Sequence, residues 1–335
     1  MRGLFYFIAI IILMLLTAYL YILICNIRSV KWSKEPSKEG KFAAANGKKV
    51  YYRIKGKGGA VVVVINSIGS SQAEWWPIQN EIGQKCRIIT IDRPGYGWST
   101  SENEDISASG FAEVLNMILK FEKIRKSVFI VANGTGVVYA RYYCAAHPSK
   151  VLGALFINPF PLRYSAWTDA VNNIDECPNM LEKAKKMQYM ASKGLYRLMS
   201  PFRGYRLDPR YKRHIIEHYS KTENYTTMQN ELSQLDKLIA EVESADEFPH
   251  IPLRVLFPAG ESLIRDWIRN GVNEYSARQL GRVYQELSTD IMSLSPLSSS
   301  LEVEGAGEHI HLSKPNIVIE EIRNLISEQK AKKKS

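Results

Sequence analysis

Residues 92–99 read Asp-Arg-Pro-Gly-Tyr-Gly-Trp-Ser and follow directly on Arg87–Ile91, a short run rich in strand-forming residues. Gly95 and Gly97 give the backbone the freedom a tight turn needs, so the octapeptide reads as a strand-ending turn with a structural role. Working outward, Ala60–Ile65 (Ala-Val-Val-Val-Val-Ile) is a continuous apolar run of the kind found in strands buried on both faces. Lys49–Lys55, Ser127–Val131, Val151–Ile157 and Leu253–Phe257 read as further strands, with helices at Ala108–Glu122 and Val137–His147 between them. Strand alternating with helix predicts an α/β fold, a mostly parallel sheet flanked by helices. From Pro159 to Pro249 the strands stop. Some ninety residues of helix-forming, charged and aromatic sequence are too many for a plain connection and read as a helical cap over one end of the sheet. A helix at Tyr275–Leu287, a short strand at Leu301–Val303 and a final helix at Asn316–Lys330 close the chain.

The chain has 335 residues, of which 45% are hydrophobic, enough for a packed core and too many for a disordered protein. Ordinary Gly and Pro usage and the lack of a repeating period exclude fibrous and solenoid classes. Cys25, Cys86, Cys144 and Cys177 show no C-x-x-C spacing and read as small buried hydrophobes. Leu4–Cys25 holds no charged residue; as a helix it would extend about 33 Å, enough to cross a bilayer. It ends in Ile-Leu-Ile-Cys rather than a small-x-small site, which favours an uncleaved single-pass anchor over a signal peptide. The resulting division is a transmembrane anchor at 1–26, a juxtamembrane linker at 27–40, a core at 41–158, the cap at 159–249, and the rest of the core with a basic tail at 250–335. Arg28, Lys31, Lys34, Lys38 and Lys41 outnumber Arg2 across the span, so the positive-inside rule leans towards a cytoplasmic-facing domain.

Three stretches together resemble the α/β-hydrolase fold. Asp92–Ser99 is similar to the D-x-P-G-x-G-x-S turn of these enzymes. Ile130-Val131-Ala132-Asn133-Gly134-Thr135-Gly136-Val137 sits where the family places its nucleophile elbow, G-x-S-x-G, at a strand-to-helix junction. His309-Ile310-His311-Leu312-Ser313-Lys314-Pro315 resembles the segment that carries the catalytic histidine, and Ser70-Ser71 with Glu74-Trp75 fits the loop that supplies an oxyanion donor.

The chemistry expected from that resemblance is missing. Ala132 and Gly136 are the small residues that let the elbow close, which puts Gly134, with no side chain, at the nucleophile position. Thr135 keeps only its backbone N–H as an oxyanion donor. The family spacing places the base seven residues before Pro315, at Glu308, with His309 one residue away; the acid falls to Asn158, with Glu261 as the carboxylate placed to substitute. Ser67, beside Ile68 in the oxyanion loop, stands where glycine is usual. Loss of a nucleophile with its base typically costs about a million-fold in a serine hydrolase. The expectation is therefore a membrane-anchored, catalytically degenerate member that binds a small or lipid-like ligand or a protein partner. The alternative is a non-standard hydrolase acting on esters or related substrates, in which His309 and Glu261 activate water.

His214-Ile215-Ile216-Glu217-His218 matches the inverted zinc motif H-x-x-E-H, but Lys212, Arg213 and Lys221 would repel a dication and no third ligand accompanies it. Neither a metal nor another cofactor is expected. Lys183–Lys221 carries a net charge of +9 with interleaved aromatics, and residues 222–250 carry −6. Lys185, Lys186, Arg203, Arg206, Arg210, Lys212 and Arg213 are candidates for contact with anionic head groups, making the lipid bilayer the expected partner. No nucleic-acid-binding module accompanies the basic residues.

Overall fold

A computed structural model describes residues 2–332 apart from 46, 84–85, 102–105, 176, 178, 199–201 and 203; the candidate Arg203 therefore lies outside the described residues. The strands are β1 (Lys41–Ala45), β2 (Lys48–Lys55), β3 (Val61–Ile65), β4 (Arg87–Ile91), β5 (Thr100–Ser101), β6 (Val128–Asn133), β7 (Val151–Ile157), β8 (Leu253–Pro258) and β9 (Ser298–Val303). The helices are α1 (Arg2–Lys34), α2 (Trp76–Ile82), α3 (Ala108–Phe121), α4 (Gly136–Ala146), α5 (Tyr164–Asn172), α6 (Met180–Ser192) and α7 (Leu195–Leu198). They continue with α8 (Pro209–Tyr219), α9 (Thr222–Ser233), α10 (Leu235–Glu243), α11 (Gly260–Arg269), α12 (Glu274–Ser288), α13 (Ile310–Ser313) and α14 (Pro315–Lys332).

The sheet order is β1-β2-β4-β3-β6-β7-β8-β9, with the short β5 pairing β2. From β4 onward neighbouring strands are parallel, while β1 and β2 form an antiparallel margin. Every residue of β3 and β6 is buried because helices cover both faces. One face packs against α3, α4 and α10, the other against α2 and α14. The carboxyl ends of β3, β6 and β7 deliver residues 66–71, 133–136 and 158 to one rim, where crossover geometry puts sites in open α/β sheets.

The apolar N-terminal segment is helical, and its apolar window is unburied by the rest of the chain. The helix does not stop near residue 26, where the sequence reading began a linker. It continues through Lys34, because Arg28, Lys31 and Lys34 are sound helix formers and Trp32 has somewhere to dock. The Trp32 ring lies 4.4 Å from that of Trp98, whose indole N–H donates to the Trp32 carbonyl at 2.9 Å, and the Trp32 indole donates to His214 Nδ1 at 3.3 Å.

The cap helices α5–α10 occupy the region between β7 and β8, and one carboxylate ties them down. Glu231 of α9 is 1% exposed and accepts four hydrogen bonds: from Arg93 Nη1 (2.7 Å) and Tyr139 OH (2.8 Å) on Oε1, and from Arg93 Nη2 (3.0 Å) and Tyr96 OH (2.6 Å) on Oε2. The Arg93 guanidinium lies over the rings of Tyr96 and Tyr139. Glu231→Gln should cost about 3–5 kcal/mol, because it leaves a buried guanidinium uncompensated. Arg93→Met/Glu231→Leu combined with Tyr96→Phe and Tyr139→Phe, which leaves no buried hydroxyl without an acceptor, should recover much of that loss. Denaturant titration, with hydrogen exchange across 222–243 to report cap detachment, measures both.

Candidate functional site

The elbow has the backbone of a nucleophile turn. Gly134 has φ +55°, its N–H donates to the Ile157 carbonyl at 3.0 Å, and its own carbonyl accepts from Phe160 N–H at 3.3 Å. Gly136 is held tightly too: a Cβ there would lie 2.5 Å from the Ile65 carbonyl oxygen and 2.7 Å from that of Asn66, so the small-residue rule of the elbow is obeyed for a steric reason.

The space a nucleophile would occupy is filled. A Cβ on Gly134 falls on the Ser67 hydroxyl and lies 3.0 Å from Ser67 Cβ. The amides that would face an oxyanion are spent internally: Thr135 N–H donates to Ser67 Oγ at 3.3 Å, and Ile68 N–H donates to Thr135 Oγ1 at 2.8 Å. Asn133 Oδ1 accepts from Ser67 N–H at 3.3 Å, completing a stitch between loop and elbow. Ser67, Ile68 and Thr135 are thus brought together around Gly134, but as mutual partners.

The residues expected at the acid and base positions, Asn158 and Glu308, also meet, through a backbone carbonyl. Asn158, at φ +45°, donates from Nδ2 to the Glu308 carbonyl (3.1 Å) and accepts Tyr284 OH (2.7 Å). The Glu308 side chain is exposed, and its N–H is held by Asp266 Oδ2 at 2.9 Å. His309 lies against the rings of Phe202 and Tyr205, and its N–H donates to Tyr205 OH at 3.2 Å. Glu261, exposed at the start of α11, pairs with Arg278 at 3.3 Å; among the described residues no hydrogen bond joins it to His309. Asp266, which the sequence reading missed, braces this loop by holding both Tyr205 OH and the Glu308 amide.

A buried Glu74–His311 pair, also unforeseen, sits beside the oxyanion loop. Glu74 Oε2 accepts from His311 Nε2 at 3.0 Å, and Oε1 accepts from Ser71 N–H and Tyr219 OH, each at 2.9 Å. Ser71 and Glu74 form a reciprocal capping box, an S-x-x-E signal visible in the sequence. Burial alone would raise the Glu74 carboxyl; the hydrogen bond and field of His311 outweigh it and hold the group below the ordinary carboxylate range. Burial pushes His311 down against the pull of Glu74, and its ring stacks on Trp75. Glu74, His309 and His311 could present ligand atoms within 4.8 Å of one another, and are the residues best placed to hold a metal. The two Glu74 oxygens are already engaged by Ser71, Tyr219 and His311, and the arrangement serves as a packed polar support.

The H-x-x-E-H residues serve three separate contacts. His214 accepts from Trp32, Glu217 pairs with Arg197, and His218 Nε2 donates to the Gly69 carbonyl at 3.0 Å. Of the basic candidates, Lys185, Lys186, Arg206, Arg210, Lys212 and Arg213 are exposed. Arg210 pairs with Asp208 (2.6 Å) and Lys185 with Glu182 (2.7 Å), both exposed contacts that leave the cations open to solvent.

The profile of the alpha/beta hydrolase fold family matches residues 60–262. The chain belongs to the α/β-hydrolase fold family. Among curated relatives, the Arabidopsis thaliana chloroplastic protein PHYLLO is 22% identical over 284 residues, covering 80% of this chain and 15% of that protein. A pimeloyl-[acyl-carrier protein] methyl ester esterase of Yersinia enterocolitica is 25% identical over 114 residues, 34% of this chain and 42% of the esterase. The matched stretches thus span less than half of these relatives' own length. The Cif epoxide hydrolase of Acinetobacter nosocomialis superposes with a TM-score of 0.65 at 17% identity, over 92% of this chain and 95% of the hydrolase. A structure from work on carboxylesterases of Nitrososphaera gargenis gives 0.57 at 14% identity, over 87% and 100%. At these identities the structural likeness concerns the fold.

Two outcomes test this geometry. Gly134→Ala should destabilise the protein by about 1–3 kcal/mol, from positive φ and the occupied space. Adding Ser67→Gly should return part of that loss in denaturant titration, because the collision disappears while the backbone strain stays. His218 is buried neutral, its pKa pushed down to about 4 by desolvation, so the unfolded chain binds the extra proton between pH 6.5 and 4. Stability is lost as pH falls through that window. Relative to His218→Asn, the native chain should lose roughly 2 kcal/mol between pH 7 and pH 4.5.

Proposed function

We propose that this α/β-hydrolase-fold protein is a single-pass, membrane-anchored pseudoenzyme that acts by binding. The observation carrying the proposal is the Ser67 hydroxyl, which takes the nucleophile's place above Gly134 and one oxyanion donor with it. An acyl-transfer site must offer an attacking atom and unpaired donors for the charge that develops on the substrate oxygen. Here Gly134 offers no atom, and the Thr135 and Ile68 amides are already partnered. Glu308 is exposed, and the His309 ring is packed against Phe202 and Tyr205.

Binding then falls to surfaces that the fold holds still. The basic face of the cap is the best candidate, with the lipid bilayer as the partner and a lipid-like molecule or a membrane protein as its ligand class. Support for the anchor comes from α1, a helix of mean hydropathy 2.8 in its apolar window that nothing else in the chain covers. The weak excess of positive charge after the span favours a cytoplasmic-facing domain.

The test is direct. The purified full-length protein should show no labelling by a fluorophosphonate probe and no turnover of p-nitrophenyl acetate, butyrate or palmitate. Turnover abolished by Ser67→Ala or His309→Ala would overturn the pseudoenzyme reading. Alkaline carbonate extraction of membranes tests the anchor separately: the chain should stay in the pellet, and should leave it when residues 4–24 are removed.

A further inference from the structure

The transmembrane helix does more than end near the cap; it packs into it. Tyr21 OH donates to the Gly194 carbonyl at 3.1 Å, and Cys25 is 2% exposed because it lies against Gly194. The approach is close enough that a Cβ on Gly194 would meet Cys25 Cβ at 2.7 Å and Sγ at 2.8 Å. Gly194 is the turn between α6 and α7. This contact fixes the height of that turn relative to the bilayer. Measured from Leu4, Tyr21 lies about 26 Å and Cys25 about 32 Å along the helix axis. A hydrocarbon core of about 30 Å therefore ends between them. The α6–α7 turn stands at the same level, at the boundary between acyl chains and head groups.

What the turn shows at that boundary suits it. Leu198 is 66% exposed, Tyr189 62% and Leu195 36%, a concentration of bare apolar and aromatic surface on an otherwise charged cap. Around them stand the exposed cations Lys185, Lys186 and Lys193, the last with Nζ 5.6 Å from the Tyr189 ring centroid. Leucines to enter the acyl region, a tyrosine for the interface and lysines for phosphates are the composition of an interfacial membrane segment.

We propose that the α6–α7 turn is embedded in the interface of an anionic phospholipid bilayer beside α1, with Leu195 and Leu198 inserted and Lys185, Lys186 and Lys193 on the head groups. The inference rests on the reading of α1 as a membrane span. It gives the cap a second point of attachment, through side chains the anchor does not supply.

The experiment uses the full-length chain reconstituted in vesicles of phosphatidylcholine with and without phosphatidylglycerol. Cys177, the half-buried cysteine, is replaced by Ser, leaving Cys25, Cys86 and Cys144 buried. An environment-sensitive fluorophore is then placed singly at Leu198→Cys, at Leu13→Cys within the span, and at Phe121→Cys, exposed on α3. Emission at position 198 should shift to the blue, be quenched by a nitroxide carried high on the lipid acyl chain, and be shielded from aqueous iodide, while position 121 stays quenched by iodide. The shift at 198 should grow with phosphatidylglycerol and shrink when Lys185, Lys186 and Lys193 are all changed to Gln. A buried label at 13 with an aqueous label at 198 overturns the embedded turn and leaves the anchor standing. An aqueous label at 13 overturns both.

Discussion

A buried ion pair between two parts of the chain that are far apart in sequence holds this architecture together. Arg93 comes from the turn after β4 and Glu231 from the cap, and two tyrosines, one from the same turn and one from the helix behind the elbow, complete the coordination of the carboxylate. Removing two charges from water is expensive, and the pair is tolerable because both oxygens of the carboxylate are fully used and the guanidinium is sandwiched by rings. The consequence is positional. Turn, elbow helix and cap are set by one carboxylate, so the cap helices that reach the site loop, through His218 on Gly69 and Tyr219 on Glu74, reach it at a fixed distance.

Within that frame the residues around Gly134 pack against one another. Hydroxyls and amides that would wait for substrate in a hydrolase satisfy one another, which is the cheaper state for buried polar groups without a ligand. Asn158 and Asp266 likewise hold the backbone around Glu308. Nothing in the elbow's backbone has relaxed, since Gly134 keeps its positive φ and Gly136 its close approach to the carbonyls of residues 65 and 66.

The sheet was largely legible because its strands are apolar on both faces. Arg87–Ile91 and Val151–Ile157 begin and end where their residue types say they should. The strand β1 was missed: Lys-Phe-Ala-Ala-Ala has little strand character of its own and is recruited by pairing with β2. The helix α1 runs past the apolar segment to Lys34, held there by the docking of Trp32, a tertiary contact that the sequence does not display. At the site, that Gly134 stands between the small residues Ala132 and Gly136 could be read from the sequence. What lies over it could not, because Ser67 reaches Gly134 only through the folded sheet. Glu231 was hidden for a related reason. In the acidic stretch after residue 222 it looks like any solvated acid, and only tertiary contact distinguishes it.

The union of Trp32 with Trp98 has a mechanical side. Trp98 belongs to the turn that carries Arg93, so the end of the long helix is seated on the same eight residues that hold the cap. A membrane helix joined to its domain by a loose tether answers a mismatch between its own length and the bilayer by tilting alone. The helix α1 runs unbroken to Lys34 and its seat on Trp98, so tilting it by some angle means tilting the domain by the same angle. On the proposed reading of α1 as a membrane span, bilayer thickness would set how the globular part stands on the membrane, and therefore which of its faces neighbouring molecules can reach.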